Sequence, residues 1–179
     1  MNAKSSPSLD QDHLEELYVR LEKPIYNVVY RWVWDREEAR DIMQEAFVRL
    51  WRMQNRVRLE TVEPLLYRIA MNLAAKSRRS RKIRRWITLD STSERASDSL
   101  DSAELLETNE RNLTVRRAVD ALPERLRRIV LLCEFSEMTY EQIGHLLGIP
   151  AGTVGSRRST ALMLLQKRLR HIVEGNHGR

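Results

Sequence analysis

A chain of 179 residues has room for one ordinary domain or two small ones. Its 42% hydrophobic and 31% charged residues give a globular composition with enough apolar side chains for real cores. The formal net charge of +6 favours polyanionic partners such as nucleic acid or an anionic membrane surface. Cys133 is the single cysteine, which excludes an intramolecular disulfide scaffold and fits a reducing compartment. Residues 1–11 are polar and lack the apolar stretch of a signal peptide, and no run approaches the roughly 18 apolar residues of a membrane span. These features predict a cytoplasmic protein that does not insert into membranes.

Glycine and proline are scarce, at 6 and 5 residues, and apolar residues recur at helical spacing. Leu14, Leu17 and Leu21 share one helix face. Pro24 is expected to interrupt, with Ile25, Val28, Val29 and Trp32 starting a second amphipathic stretch. Asp35 precedes a longer helix whose stripe is Ala39, Ile42, Ala46 and Leu50, flanked by Met43, Phe47 and Trp51. Pro64 suits the first turn of a further helix that buries Leu66, Ile69, Ala70 and Leu73.

Composition then changes. Residues 76–85 hold seven Lys or Arg in ten, whereas residues 88–110 hold seven acids and one base. The Ser-rich stretch from 88 to about 102 reads as a flexible linker. Helical spacing returns with Leu113, Val119 and Leu122, breaks at Pro123, and resumes with Leu126, Ile129, Val130 and Cys133. Cys133 reads as a small buried hydrophobe. The fold class is therefore all-α: two small helical domains joined by a flexible linker, with domains at 10–87 and 108–174 and the linker at 88–107.

The second domain carries a helix-turn-helix pattern. Thr139-Tyr140-Glu141-Gln142 is a capping box: the threonine accepts from the Gln142 amide while the glutamine reaches back. Ile143, Leu146 and Leu147 give a short helix its apolar face, Gly148 suits a left-handed stop, and Pro150 forbids continuation. A longer helix is predicted from Ala151 to about Ile172. Val154, Ala161, Leu165 and Leu169 face inward on it, and Thr153, Ser156, Arg157 and Thr160 outward. Residues 151–170 carry five bases and no acid. Arginine reads guanine edges and small hydroxyls suit phosphates, so this helix is a candidate for the major groove. The competing reading is an ordinary helical hairpin with a solvated basic face.

On the early helix, Asp41, Gln44, Glu45 and Arg52 cluster opposite the apolar stripe. A solvated face is the plain reading. A metal or acid–base site is disfavoured, since His13, His145, His171 and His177 are scattered and no HExxH motif is present.

The string Asp41-x-x-Gln44-Glu45-Ala46-Phe47-x-x-Leu50-Trp51 resembles the helix by which sigma factors of the sigma-70 family grip the coiled-coil clamp of the largest RNA polymerase subunit. Leu66-Tyr67-Arg68-Ile69-Ala70-Met71-Asn72 resembles the segment that opens and reads the promoter −10 element, and the basic run to Arg85 resembles its duplex-contacting continuation. Leu122-Pro123-Glu124-Arg125-Leu126-Arg127, followed by residues 138–143 and by Gly152-Thr153-Val154-x-Ser156-Arg157, is similar to the domain that reads the −35 element. The resemblance covers residues 10–172, and the order and spacing of the strings are more specific than any one of them. Two domains and no others point to the extracytoplasmic-function group.

This resemblance implies a transcription initiation factor that binds core RNA polymerase and promoter DNA without bond chemistry, cofactor or metal. Asp41, Gln44, Glu45, Val48 and Arg52 would bind core polymerase. Tyr67, Asn72, Lys76, Arg78, Arg79 and Arg81 would meet −10 DNA. Thr139, Gly152, Thr153, Ser156, Arg157 and Thr160 would meet −35 DNA. A flipped base suits a polar side chain such as Asn72 beside an apolar pocket, and the basic run suits phosphates. Tyr67 and Trp51 also fit as core aromatics. The family further implies an anti-sigma factor, often membrane-tethered, and a monomer when free.

The match departs from the family at several positions. Leu65 stands where many members have tryptophan. Gly155 replaces a usual Lys or Arg, Arg158 a usual apolar residue, and Thr160 and Leu162 usual arginines. These changes imply unusual −35 reading or greater reliance on backbone and shape contacts. A stand-alone helix-turn-helix regulator is the alternative function. It explains the C-terminal half but not the 41–51 helix or the basic segment. An adaptor that recruits polymerase without opening DNA is a second alternative.

Overall fold

The computed structural model describes the backbone of residues 9–87 and 103–174, and side chains within 9–84 and 111–170. All regular structure among the described residues is helical. Helix α1 spans Gln11–Val33, α2 Arg36–Arg52, α3 Val62–Ile87, α4 Ala103–Asp120, α5 Glu124–Phe135, α6 Tyr140–Leu147 and α7 Ala151–Glu174, with two short 3-10 turns at Gln54–Arg56 and Leu59–Thr61. The stretch expected to be a flexible linker lies outside the described residues for 88–102. Its last five expected residues, 103–107, fall inside α4.

Local chemistry sets most helix ends. Asp10 caps α1 by accepting from the His13 amide at 2.9 Å, and Asp35 caps α2 by accepting from the Glu38 amide at 3.0 Å. Trp34 closes α1 in the left-handed conformation (φ 57°), its N–H bonded to the Tyr30 carbonyl. That conformation costs a non-glycine residue about 1 kcal/mol.

Pro24 does not interrupt α1, contrary to the sequence expectation: it lies inside one continuous 23-residue helix. An interior proline costs roughly 3 kcal/mol through its missing N–H and ring clash. Leu17 and Leu21 before it, and Ile25, Val28, Val29 and Trp32 after it, are all buried on the same face. Each contributes on the order of 2 kcal/mol, so packing on both sides outweighs the break. One further expectation shifts. Leu113 and Val119 lie on α4 as expected, but Leu122 is buried in the turn beyond the end of that helix.

Helices α1, α2 and α3 pack on one another, as do α5, α6 and α7, with α4 against α7. The two groups do not stand apart. Helix α1 packs on α5 and α3 on α6, and one apolar cluster runs through both, from Leu17 and Trp32 to Ile129, Ile143 and Ala161. The described halves thus share a continuous core.

Candidate functional site

Asp41, Gln44, Glu45, Val48 and Arg52 follow the i, i+3, i+4, i+7, i+11 spacing and lie on one face of α2. Glu45 is half-exposed and the other four are exposed, while Ala39, Ile42, Ala46 and Leu50 hold the opposite face in the core. Glu45 accepts from Arg49 at 2.6 Å, and this bond holds its carboxyl below the ordinary carboxylate range. Beside this face, Leu14, Tyr18, Val19, Phe47, Val48 and Trp51 line an almost wholly apolar groove of about 450 Å³. Tyr18 and Val19 were not singled out from the sequence. Val19 leaves 81% of its surface in solvent, and this exposure is a tertiary fact.

A second, more polar cleft of about 660 Å³ separates α2 from α3. Asp41 and Glu45 line it from one side, and Lys76, Ser77, Ser80 and Ile83 from the other. The carboxylates of one predicted surface and the first base of the other therefore meet in one depression.

The structure sorts the expected −10 residues into two sets. Asn72, Lys76 and Arg79 are exposed along α3. Tyr67 is fully buried, and its hydroxyl donates to the Ser136 carbonyl at 2.9 Å. Burial, with Glu63 and Glu137 adding to it, pushes this phenol well above its ordinary range. As placed here Tyr67 is a core residue, one of the two readings that its sequence context allowed. Arg78 is half-buried: it donates to the Asp120 carboxylate at 2.7 Å and to the Trp32 carbonyl at 3.1 Å. Arg81 donates to the Val33 carbonyl at 3.0 Å and pairs with Glu38, which also accepts from Ser77. Arg78 and Arg81 of the basic run are thus engaged within the molecule. Leu65 is half-buried against the core.

The helix-turn-helix forms as its sequence dictates. Thr139 Oγ1 accepts from the Gln142 amide at 3.2 Å, and the Gln142 side chain accepts from the Thr139 amide at 2.8 Å. Gly148 ends α6 at φ 67°. Gly144 was not singled out from the sequence, yet the tightness of this turn requires it. A Cβ there would lie 2.6 Å from the Ile149 carbonyl oxygen and 3.3 Å from the Ala151 amide nitrogen. Val154 and Ala161 are fully buried. Gly152, Ser156 and Thr160 are exposed, and Thr153 and Arg157 half-exposed. Two of the hydroxyls bond their own helix: Ser156 to the Thr153 carbonyl and Thr160 to the Ser156 carbonyl. At Gly155 a Cβ would touch the Tyr140 ring at 3.4 Å, so this position belongs to the contact between α6 and α7. Arg158 is bonded to Glu134 of α5 at 2.7 Å, and its departure from the apolar pattern is explained by that pair.

Two stretches of the chain match family models: residues 17–84 match Sigma-70 region 2, and residues 112–165 match Sigma-70, region 4. The RNA polymerase sigma-H factor of Pseudomonas aeruginosa is 31% identical over 174 residues, covering 92% of this chain and 90% of that protein. The chain belongs to the sigma-70 family of RNA polymerase sigma factors, in its extracytoplasmic-function group. The ECF sigma factor SigW of Bacillus subtilis is 28% identical over 91% of this chain and 92% of its own length. SigE of Mycolicibacterium smegmatis is 31% identical over 74% of this chain, which spans about half (52%) of that relative. Two solved structures share the fold. The sigma factor RpoE of Bartonella quintana, in complex with the anti-sigma factor NepR, superposes with a TM-score of 0.65 at 20% identity over 90% of this chain and 98% of that one. CnrH, in complex with the cytosolic domain of CnrY, superposes with a TM-score of 0.66 at 18% identity over 90% of each chain.

Proposed function

We infer that this sigma factor binds core RNA polymerase through the exposed face of α2, opens and reads the −10 element with α3, and reads the −35 element with α6 and α7. The observation that carries this division is the placement of Asp41, Gln44, Glu45, Val48 and Arg52 on one solvent face. Asp41 and Glu45 of that face share a cleft with Lys76 of α3, the helix on which Asn72 and Arg79 are also exposed. The functional domains on this reading are 10–87 and 108–174. Thr139, Gly152, Thr153, Ser156, Arg157 and Thr160 form the duplex-facing surface, and backbone amides and shape supply much of its recognition where hydroxyls are turned to their own helix. The protein acts by binding and strand opening in the cytoplasm, without catalysis. No helix of the described residues is long and apolar enough to cross a membrane. Its fold neighbours were solved in complexes, one of them with an anti-sigma factor, and a partner of that class is proposed here as well.

The test is a reconstituted pull-down on bacterial core RNA polymerase, comparing wild type with Asp41→Ala/Glu45→Arg. Saturable wild-type binding that the folded double variant loses supports the reading. A folded wild type that does not bind core polymerase, yet binds promoter duplex tightly by itself, favours the stand-alone regulator.

A further inference from the structure

Three side chains of α3 hold the corner between α1 and α2. Helix α1 ends at Val33 and α2 begins at Arg36, and the last carbonyls of a helix lack partners within it. Arg78 Nη1 donates to the Trp32 carbonyl at 3.1 Å, and Arg81 Nη2 donates to the Val33 carbonyl at 3.0 Å. Two cations thus stand at the negative end of the α1 dipole. Arg81 Nη2 also pairs with Oε2 of Glu38, and the other oxygen of that carboxylate accepts from Ser77 Oγ. Ser77 and Arg81 are one helical turn apart, so a single carboxylate of α2 grips a full turn of α3.

Glu38 differs from the rest of its turn. Arg36 and Glu37 are exposed, whereas the Glu38 side chain keeps 22% of its surface in solvent. It begins the same stripe of α2 that continues through Asp41 and Glu45, at i, i+3 and i+7. The stripe assigned to core polymerase therefore starts in a group bound to α3. The Arg81 guanidinium is occupied from two sides, by a carboxylate and a carbonyl, while Lys76, Arg79 and Lys82 around it are exposed. We propose that Glu38 and Arg81 are positioning residues for promoter opening: with Ser77 they fix the angle of the DNA-reading helix on the polymerase-binding helix. Arg81 acts through Glu38 and is not a phosphate ligand. Apolar contacts between α2 and α3 are non-directional, and a charge-assisted clasp with two anchor points adds the geometric constraint they lack. Flipping a base out of the stack needs accurately placed groups, so a small tilt of α3 slows opening without weakening the hold on polymerase. The inference rests on the assignment of α2 to core polymerase and α3 to −10 DNA, and adds the residues that join the two.

The experiment uses full-length wild type, Glu38→Ala, Arg81→Gln and the double variant, each bound to core RNA polymerase. Circular dichroism establishes native helicity, and all readings are taken below the lowest thermal midpoint. The probe is a promoter fragment selected by the wild-type holoenzyme from a randomised duplex pool, with 2-aminopurine in its −10 element. Core affinity is expected to stay within about twofold of wild type in every variant. Each single variant should open the −10 element on the order of tenfold more slowly at saturating holoenzyme, and the double variant no more slowly than either. The salt slope of binding to the closed duplex should be that of wild type. A slope lowered by about 0.9 in Arg81→Gln makes Arg81 a phosphate ligand and overturns the proposal. Losses that add in the double variant overturn the pairing. A clasp that only stabilises the fold lowers the thermal midpoint but leaves opening by the folded variants at the wild-type rate, and that result also overturns it. Wild type that fails to bind core polymerase is a separate failure, of the sigma reading itself, and takes this inference with it.

Discussion

The Tyr67 hydroxyl donates to the backbone carbonyl of Ser136 at 2.9 Å, joining two fully buried groups 69 residues apart. Ser136 is held in turn by its own hydroxyl, which donates to the Leu132 carbonyl at 2.7 Å and accepts from the Met138 amide at 3.3 Å. One phenol thereby fixes the turn between α5 and α6 against α3.

Replacing Tyr67 by Phe keeps the ring but strips the Ser136 carbonyl of this donor in a dry environment. The expected loss is ~1–2 kcal/mol of unfolding free energy. Urea denaturation should show a lower midpoint at unchanged slope. A variant as stable as wild type contradicts a buried, satisfied bond.

Alkaline titration offers an independent check. Burial raises the Tyr67 phenol above its ordinary value of 10.0, so the neutral form is favoured in the folded state. The corresponding stability is fully present below the unfolded value and is lost as pH rises past it. The 295 nm difference between wild type and Tyr67→Phe should stay flat until unfolding begins. Phenolate absorbance from Tyr67 in the folded protein places the ring in solvent.

Gly144 is predicted to be intolerant of any side chain. An alanine methyl there would lie 2.6 Å from a backbone oxygen, so α6 and α7 must separate. Gly144→Ala should cost ~2–4 kcal/mol and abolish −35 duplex binding. Gly148→Ala has open space around its Cβ but a φ of 67°, so only about 1 kcal/mol is expected. Calorimetry of both variants distinguishes a clash from a conformational penalty, and equal losses argue against this assignment.

The exposed bases of α3 should act through counter-ion release. Replacing Lys76, Arg79 and Lys82 together by Ala is expected to lower the slope of log K against log salt by about 0.9 for each phosphate left without its cationic partner. Holoenzyme binding to promoter duplex between low and moderate salt measures this. An unchanged slope removes these side chains from the DNA interface.

Much of this molecule was legible in its sequence where the determinants are local. The capping box at Thr139, the glycine stop at Gly148 and the buried stripe of α2 each depend on local groups, and the structure places them as read. The solvent-facing cluster Asp41, Gln44, Glu45 and Arg52 is legible for the same reason. The family strings extend this reading, because their order and spacing survive in the chain itself.

The tertiary structure decided what depends on distant partners. Pro24 stays within α1 because helices packed on both sides of it outweigh a local defect that no neighbouring residue betrays. Arg78 reads identically to its exposed neighbours and Tyr67 allowed two readings, yet they are committed to Asp120 and Ser136, 42 and 69 residues away. Asp120 carries no motif. It stands where the C-terminal end of α1, the body of α3 and the first turn of α5 meet, which places one carboxylate before two guanidiniums and an indole. Helical periodicity sets which face of a helix is apolar. Which other surface covers that face, and which charges are then withdrawn from solvent, follows from burial summed over the whole chain.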